Sequence, residues 1–70
     1  MLKNSVAVFI NEKLNKIVRV NEGVDLGGNR SFFVTVFENG VLNPELSTAW
    51  TSDWDAIRHA AGACFSYLKT

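Results

Sequence analysis

The chain has 70 residues, of which 47% are hydrophobic and 20% are charged, and its seven Lys and Arg residues balance its seven Asp and Glu residues. This composition is typical of a globular domain and not of a disordered chain. The lack of a basic excess argues against a dedicated binder of duplex DNA. No apolar run reaches the roughly 20 residues that a membrane-spanning helix needs. We therefore expect one small cytoplasmic domain over residues 1–70.

A chain of this length has few ways to support its fold. A core of this size contributes only about 3–5 kcal/mol net. Cys64 is the only cysteine, so no internal disulfide is possible. Cys64 and His59 alone do not make a zinc site, which needs about four ligands, so we expect no metal and no cofactor. Association with a second copy is the remaining support, so we expect a homodimer. We also expect that the chain is a complete gene product that starts at Met1 and has no signal peptide.

The first half of the chain predicts a hairpin followed by a loop. Ser5–Ile10 and Lys16–Val20 are rich in β-forming residues, and the short polar segment between them is of hairpin length. The two segments should therefore pair antiparallel. Residues 22–30 contain three glycines and are predicted to be a loop.

The next segment predicts the longest strand and a tight turn. Ser31–Glu38 is the strongest strand signal in the chain, and Asn39-Gly40 after it is typical of a type I′ hairpin turn. Pro44 cannot donate to a central ladder. Residues 41–50 are therefore either a short fourth strand at the sheet edge or an extended segment, and the sequence leaves this open.

The C-terminal segment predicts a helix that begins at Thr51 or Ser52 and runs to Leu68. Ser52 is a suitable N-cap, and Asp53 and Asp55 in the first turn suit the positive end of the helix dipole. The expected fold is α+β, with a three- to four-stranded antiparallel sheet and one helix packed on one face of it.

Alternation along the strands predicts two apolar faces on this sheet. The face expected to pack against the helix consists of Val6, Val8, Ile10, Val18, Val20, Phe32, Val34 and Val36. The opposite face is also apolar and carries Ala7, Phe9, Ile17, Arg19, Phe33, Thr35 and Phe37. Such a face would promote aggregation if it were left in water. A loop with Trp50, the sheet of a second copy, or stacked nucleotide bases are the three alternatives for covering it.

The helix also has more apolar surface than one small sheet covers. One stripe, expected to face the sheet, consists of Trp54, Ile57, Ala61, Cys64, Phe65 and Leu68. A second ridge of mostly small residues consists of Ala56, Ala60, Ala63 and Tyr67. This ridge is a second candidate contact surface, unless its alanines serve only helix propensity.

No motif predicts catalysis. His59 and Cys64 are five residues apart and do not share a helix face. The glycine-rich loop lacks the lysine of a phosphate-binding loop and does not open a helix. We therefore expect a protein that is not an enzyme and has no catalytic residues.

We interpret the chain as a small protein-interaction or accessory module of the kind that phages and other mobile elements encode. The candidate interface residues are Phe9, Ile17, Arg19, Phe33, Phe37, Trp50, Ala56, Ala60, Ala63 and Tyr67. The alternative is a single-stranded nucleic-acid binder that uses Phe9, Phe33 and Phe37 with Lys16, Arg19 and Arg30, although near-zero net charge favours a protein partner. A third possibility is a small-molecule pocket between the helix and the sheet.

Overall fold

A computed structural model describes residues 4–65 and confirms the predicted α+β fold, an antiparallel sheet followed by one helix. The elements are β1 (Asn4–Asn11), β2 (Lys16–Val24), β3 (Arg30–Glu38), β4 (Val41–Leu42), β5 (Thr48–Trp50) and α1 (Asp53–Phe65). The predicted end of the helix at Leu68, and Tyr67 with it, lie outside the described residues. No helix among residues 4–65 combines the length and the apolar character needed to cross a membrane.

Residues 41–50 form two short strands on the same edge of the sheet. The strands β1, β2 and β3 follow one another across the sheet. β4 and β5 both pair antiparallel with β3, along the edge that does not pair with β2. Between them the chain leaves the ladder at Pro44. The Asn43 N–H donates to the Val36 carbonyl at 2.8 Å, and the Val36 N–H donates to Ser47 Oγ at 3.1 Å. These two bonds satisfy the backbone of Val36 across the interruption.

The predicted type I′ turn is confirmed, because Asn39 and Gly40 have φ angles of 55° and 80°. The turn between β1 and β2 reaches the same end of the sheet, where Asn15 has a φ of 54°. The Asn39 N–H donates to the Asn15 carbonyl at 2.9 Å, and the Asn15 side-chain amide donates to Asn39 Oδ1 at 3.1 Å. The two turns therefore support each other.

The loop predicted over residues 22–30 is shorter than expected. The first three residues of that range, 22–24, continue β2, and Arg30 already belongs to β3, so the prediction was wrong at both ends of the loop. The remaining turn is closed by Asp25, whose Oδ1 accepts the backbone N–H groups of residues 27 and 29, both at 2.9 Å. These N–H groups bind the Asp25 carboxylate.

A register shift at Val6 interrupts β1. Ser5 pairs with Asn21, but Ala7 pairs with Val20, so Val6 is an additional residue, as in a β-bulge. Val6 and Ala7 both pack against the core.

The predicted faces of β1 were therefore assigned the wrong way round beyond Val6. Phe9 pairs with Val18 on the helix side of the sheet, whereas Val8 and Ile10 point to the other side and are 50% and 57% exposed. The alternation in β1 did not distinguish the two sets, because both consist of apolar residues. Phe9 packs edge-on against Phe65 of α1, with ring centroids 6.3 Å apart.

The core lies between α1 and the valine-rich face of β2 and β3. It consists of Val18, Val20, Phe32, Val34, Val36, Ala56, Ala60, Ala63 and Cys64. The predicted orientation of the helix was thus correct for Cys64 and wrong for Trp54 and Phe65, which are 62% and 42% exposed. The ridge of Ala56, Ala60 and Ala63 faces the sheet and has almost no exposed surface, while Trp54 is 62% exposed. Small side chains allow α1 to lie close to the β-branched sheet surface, and the large ones flank the contact.

The helix begins where the sequence predicts. The Ala56 N–H donates to the Ser52 carbonyl at 3.1 Å, and the Asp55 N–H lies 3.5 Å from Ser52 Oγ. Ser52 is therefore the N-cap, and α1 starts at Asp53.

Candidate interaction surface on the sheet

The side of the sheet opposite α1 carries an apolar surface that we call the helix-free face. Because strand pairing places opposite residues on the same side of a sheet, the register defines its members as four rows. The rows are Ile10–Ile17–Phe37–Leu42, Val8–Arg19–Thr35, Ser5–Asn21–Phe33–Ala49 and Gly23–Ser31.

The helix-free face is exposed. The side chains of Ile10, Ile17 and Leu42 are 57%, 40% and 49% exposed, and Phe37 between them is half-buried. This row crosses four strands without a polar residue. Among the described residues no element covers it, since α1 packs on the other side.

Trp50 does not cover this face, contrary to one of the predicted alternatives. It pairs with Phe32 and so lies on the helix side of the sheet. Its indole N–H donates to Thr48 Oγ1 at 2.6 Å, and its ring centroid is 5.5 Å from that of His59. Trp50 packs against the core and is not part of the surface predicted for it.

Arg19 is the one charged side chain among the strand residues of the helix-free face. It pairs with Val8 on one side and Thr35 on the other, and it is exposed. The other charged strand residues of β2 and β3 belong to the helix side or the sheet ends. A ligand that covers this face therefore meets apolar side chains around one guanidinium group, which binds a carboxylate strongly.

The cations of the predicted nucleic-acid surface are not gathered on one face. Lys16 lies 3.3 Å from the Glu38 carboxylate and donates to the Ala63 carbonyl at 3.1 Å, on the helix side. Arg30 pairs with Glu22 and lies over the Phe32 ring, 5.3 Å from its centroid. Phe9 also lies on the helix side. Of the six residues predicted for the nucleic-acid surface, Arg19, Phe33 and Phe37 therefore lie together on the helix-free face.

The clefts formed by described residues include two of similar volume. One, of about 370 Å³, is lined by Trp50, Asp55, Arg58 and His59, where the first half of α1 meets β5. The other, of about 380 Å³, is lined by Phe33, Val34, Thr35, Ser47, Thr48 and Ala49. The second cleft lies between β3 and β5, beside Phe33 of the helix-free face.

Cys64 and His59 have different surroundings. Cys64 is fully buried, and its burial raises the pKa of the thiol. The His59 Nε2 atom is 2.8 Å from the Leu46 carbonyl oxygen. Within residues 4–65, no three His, Cys, Asp or Glu side chains are placed to hold a metal ion together.

Part of this face was predicted from the sequence. Ile17, Arg19, Phe33 and Phe37 lie together as predicted. Leu42 was missed, although it follows from the predicted turn: a two-residue turn at residues 39 and 40 places Leu42 opposite Phe37. Val8 and Ile10 carried no comparable signal.

Comparison of the chain with protein-family models, with curated proteins and with solved structures found no match. Function is therefore inferred from the geometry and chemistry of the helix-free face.

Proposed function

We propose that this chain is a non-enzymatic protein-interaction module that binds a partner protein through its helix-free face. The observation that supports this most strongly is the exposed row of Ile10, Ile17, Phe37 and Leu42. The sheet already has a helix on its other face, so this row is not needed for the core. Contiguous exposed apolar surface of this kind marks interaction sites in natural proteins.

The chemistry of the face indicates the kind of partner. Apolar side chains surround Arg19, so the partner should present an apolar surface with a carboxylate near its centre. Stacking the same face of a second copy on it would bring two arginine residues into an apolar contact without a carboxylate, which is unfavourable. A different protein that presents an acidic group is therefore a better partner for this face than the same face of a second copy.

The proposal of a non-enzymatic role is supported by the state of the reactive groups. The Cys64 thiol is buried, and the His59 ring nitrogen contacts a backbone carbonyl. We further propose that the module is a cytoplasmic homodimer. Its small core and zero net charge favour association.

The test compares two lysine substitutions on different sides of the molecule. Ile17→Lys places a charge in the middle of the helix-free face, and Val41→Lys places the same charge on β4 at a position that is 68% exposed. Immobilised wild-type protein and both variants are incubated with a lysate of the source organism. Proteins retained by the wild type are identified by mass spectrometry, purified and titrated against all three.

We expect a purified partner whose affinity falls by about tenfold or more with Ile17→Lys and stays unchanged with Val41→Lys. Equal affinity for the wild type and Ile17→Lys would contradict the proposal. Single-stranded oligonucleotides at low salt should not bind. Oligonucleotide binding that Ile17→Lys abolishes would replace the protein partner with a nucleic acid.

A further inference from the structure

The two edges of the sheet differ in a way that bears on self-association. The edge of β3 is occupied by β4 and β5 and interrupted at Pro44 and Glu45. The opposite edge is β1, which among the described residues pairs with β2 alone. β1 has eight residues, NSVAVFIN, with no charge and no proline. Natural edge strands are usually protected from pairing by charges, prolines or interruptions, and β1 has only the shift at Val6.

The side chains on both sides of this edge are apolar. Val8 and Ile10 are half exposed on the helix-free face. On the helix side, Phe65 packs against Phe9 of β1 and is still 42% exposed. A strand that pairs with β1 would therefore gain backbone hydrogen bonds at the edge and apolar contacts on both faces.

We propose that β1 pairs antiparallel with β1 of a second copy, so that two five-stranded sheets form one continuous sheet. This rests on the homodimer of the proposed function and supplies its interface. The regular part of β1 after Val6 is residues 7–11, and its centre is Phe9. Symmetric pairing about this centre places Val8 of one copy opposite Ile10 of the other, twice.

Symmetry fixes the shape of this dimer. Antiparallel pairing of identical edges requires a two-fold axis perpendicular to the sheet. Both helices then lie on the same side, and each Phe65 lies beside the new junction. The two helix-free faces join into one surface on the other side and stay uncovered. The dimer therefore avoids stacking the two Arg19 side chains on each other and doubles the surface offered to a partner.

The test measures dimer dissociation by sedimentation equilibrium for the wild type and four variants. Val8→Lys and Ile10→Glu each place a charge opposite an apolar residue of the other copy. Ile17→Lys is the control for the helix-free face away from the edge, and Val41→Lys is the control for the opposite edge. Circular dichroism confirms that each variant is folded.

We expect Val8→Lys and Ile10→Glu each to raise the dimer dissociation constant about tenfold or more. Mixing the two should restore a heterodimer, because the lysine of one variant then faces the glutamate of the other. Ile17→Lys and Val41→Lys should remain dimeric. Amide hydrogen exchange should show added protection of β1 in the dimer.

Other results would overturn the edge pairing. A wild type that sediments only as the 7.8 kDa monomer excludes it. Dissociation by Ile17→Lys would indicate face-to-face packing, dissociation by Val41→Lys would indicate the other edge, and no recovery on mixing would exclude the pairing of Val8 with Ile10. A monomeric wild type, dissociation by Val41→Lys or no recovery on mixing would each leave partner binding through Ile17 intact, whereas face-to-face packing would place a second copy on the surface proposed for the partner.

Discussion

At the scale of single residues, two strand side chains bind carbonyl groups in the last described turn of α1. The Lys16 ammonium donates to the Ala63 carbonyl at 3.1 Å, and the Asn11 side-chain amide donates to the Cys64 carbonyl at 2.9 Å. The last described turn of α1 has no basic residue of its own. Because carbonyl groups in the C-terminal part of a helix carry partial negative charge, these side chains supply donors and positive charge to the last described turn, and they attach α1 to the hairpin of β1 and β2.

Glu38 completes this cluster and gives it a pH dependence. The Asn43 side-chain amide donates to the Glu38 carboxylate at 2.9 Å, and Lys16 lies 3.3 Å from it. These contacts, the first being the larger cause, lower the pKa of Glu38 below its ordinary 4.5. A carboxyl group whose pKa is lower in the folded state stabilises the fold above its unfolded pKa, and this contribution is lost as the pH falls through the folded pKa.

We predict that Glu38→Gln lowers the free energy of unfolding at pH 7 by less than about 1 kcal/mol, since the pair is partly exposed. The loss should shrink below pH 4.5, the ordinary carboxyl pKa, because the wild type is then losing the same contribution. Urea denaturation at several pH values measures this, with the exposed Glu45→Gln as the control. A difference between Glu38→Gln and the wild type that grows on acidification would refute the assignment.

At the scale of elements, the packing of α1 depends on small residues. Ala56 and Ala60 are fully buried against valine side chains of the sheet. The distance between helix and sheet is therefore set by methyl groups. This explains why Trp54 and Phe65 remain partly in water even though the helix has a hydrophobic stripe that contains them.

We predict that Ala60→Leu destabilises the protein by about 1–3 kcal/mol, because additional methylene groups in a packed core force the helix away from the sheet. Ala61→Leu adds the same volume at a half-buried position and should cost clearly less. Thermal and urea denaturation of the two variants give the comparison. If Ala60→Leu is as stable as Ala61→Leu, the contact between α1 and the sheet is looser than described.

The elements also show which features the sequence could predict. Asn39-Gly40 was predictable because a type I′ turn needs positive φ at both positions, which is a local requirement. The alternation of β3 correctly separated Val34 and Val36 from Phe33 and Phe37, because pairing with β2 fixes the two faces. These local and periodic signals gave the fold and half of the helix-free face.

Other features depended on tertiary contacts that no local signal carries. Phe9 was placed on the wrong face because the alternate residues of β1 are equally apolar. Ala56, Ala60 and Ala63 were predicted as an outer ridge because hydrophobicity favours large residues for the core, whereas close helix packing favours small ones. Trp50 was predicted as an interface residue, with a loop over the helix-free face as one of three alternatives, and its pairing with Phe32 places it on the other side.

At the scale of the whole molecule, residues 4–65 form a sheet with a helix on one side only. Five strands and one helix enclose a core on the helix side, and the residues on the other side are not required to close it. This asymmetry leads to the two proposals, since the uncovered face is available to a partner and the β1 edge is available to a second copy. Both depend on the helix-free face lying outside the core.

The most direct test of that claim is the unfolding of the double variant Phe33→Ser, Phe37→Ser, compared with Val34→Ser, Val36→Ser on the helix side of the same strand. Val34 and Val36 are 2% and 0% exposed. Truncating buried apolar side chains and burying hydroxyl groups in their place costs several kcal/mol, about the whole stability of a domain this small. We therefore predict that the variant Phe33→Ser, Phe37→Ser stays folded and has a cooperative urea transition, and that the variant Val34→Ser, Val36→Ser is unfolded. If the variant Phe33→Ser, Phe37→Ser is unfolded, the helix-free face belongs to the core, which contradicts the claim that this face lies outside it.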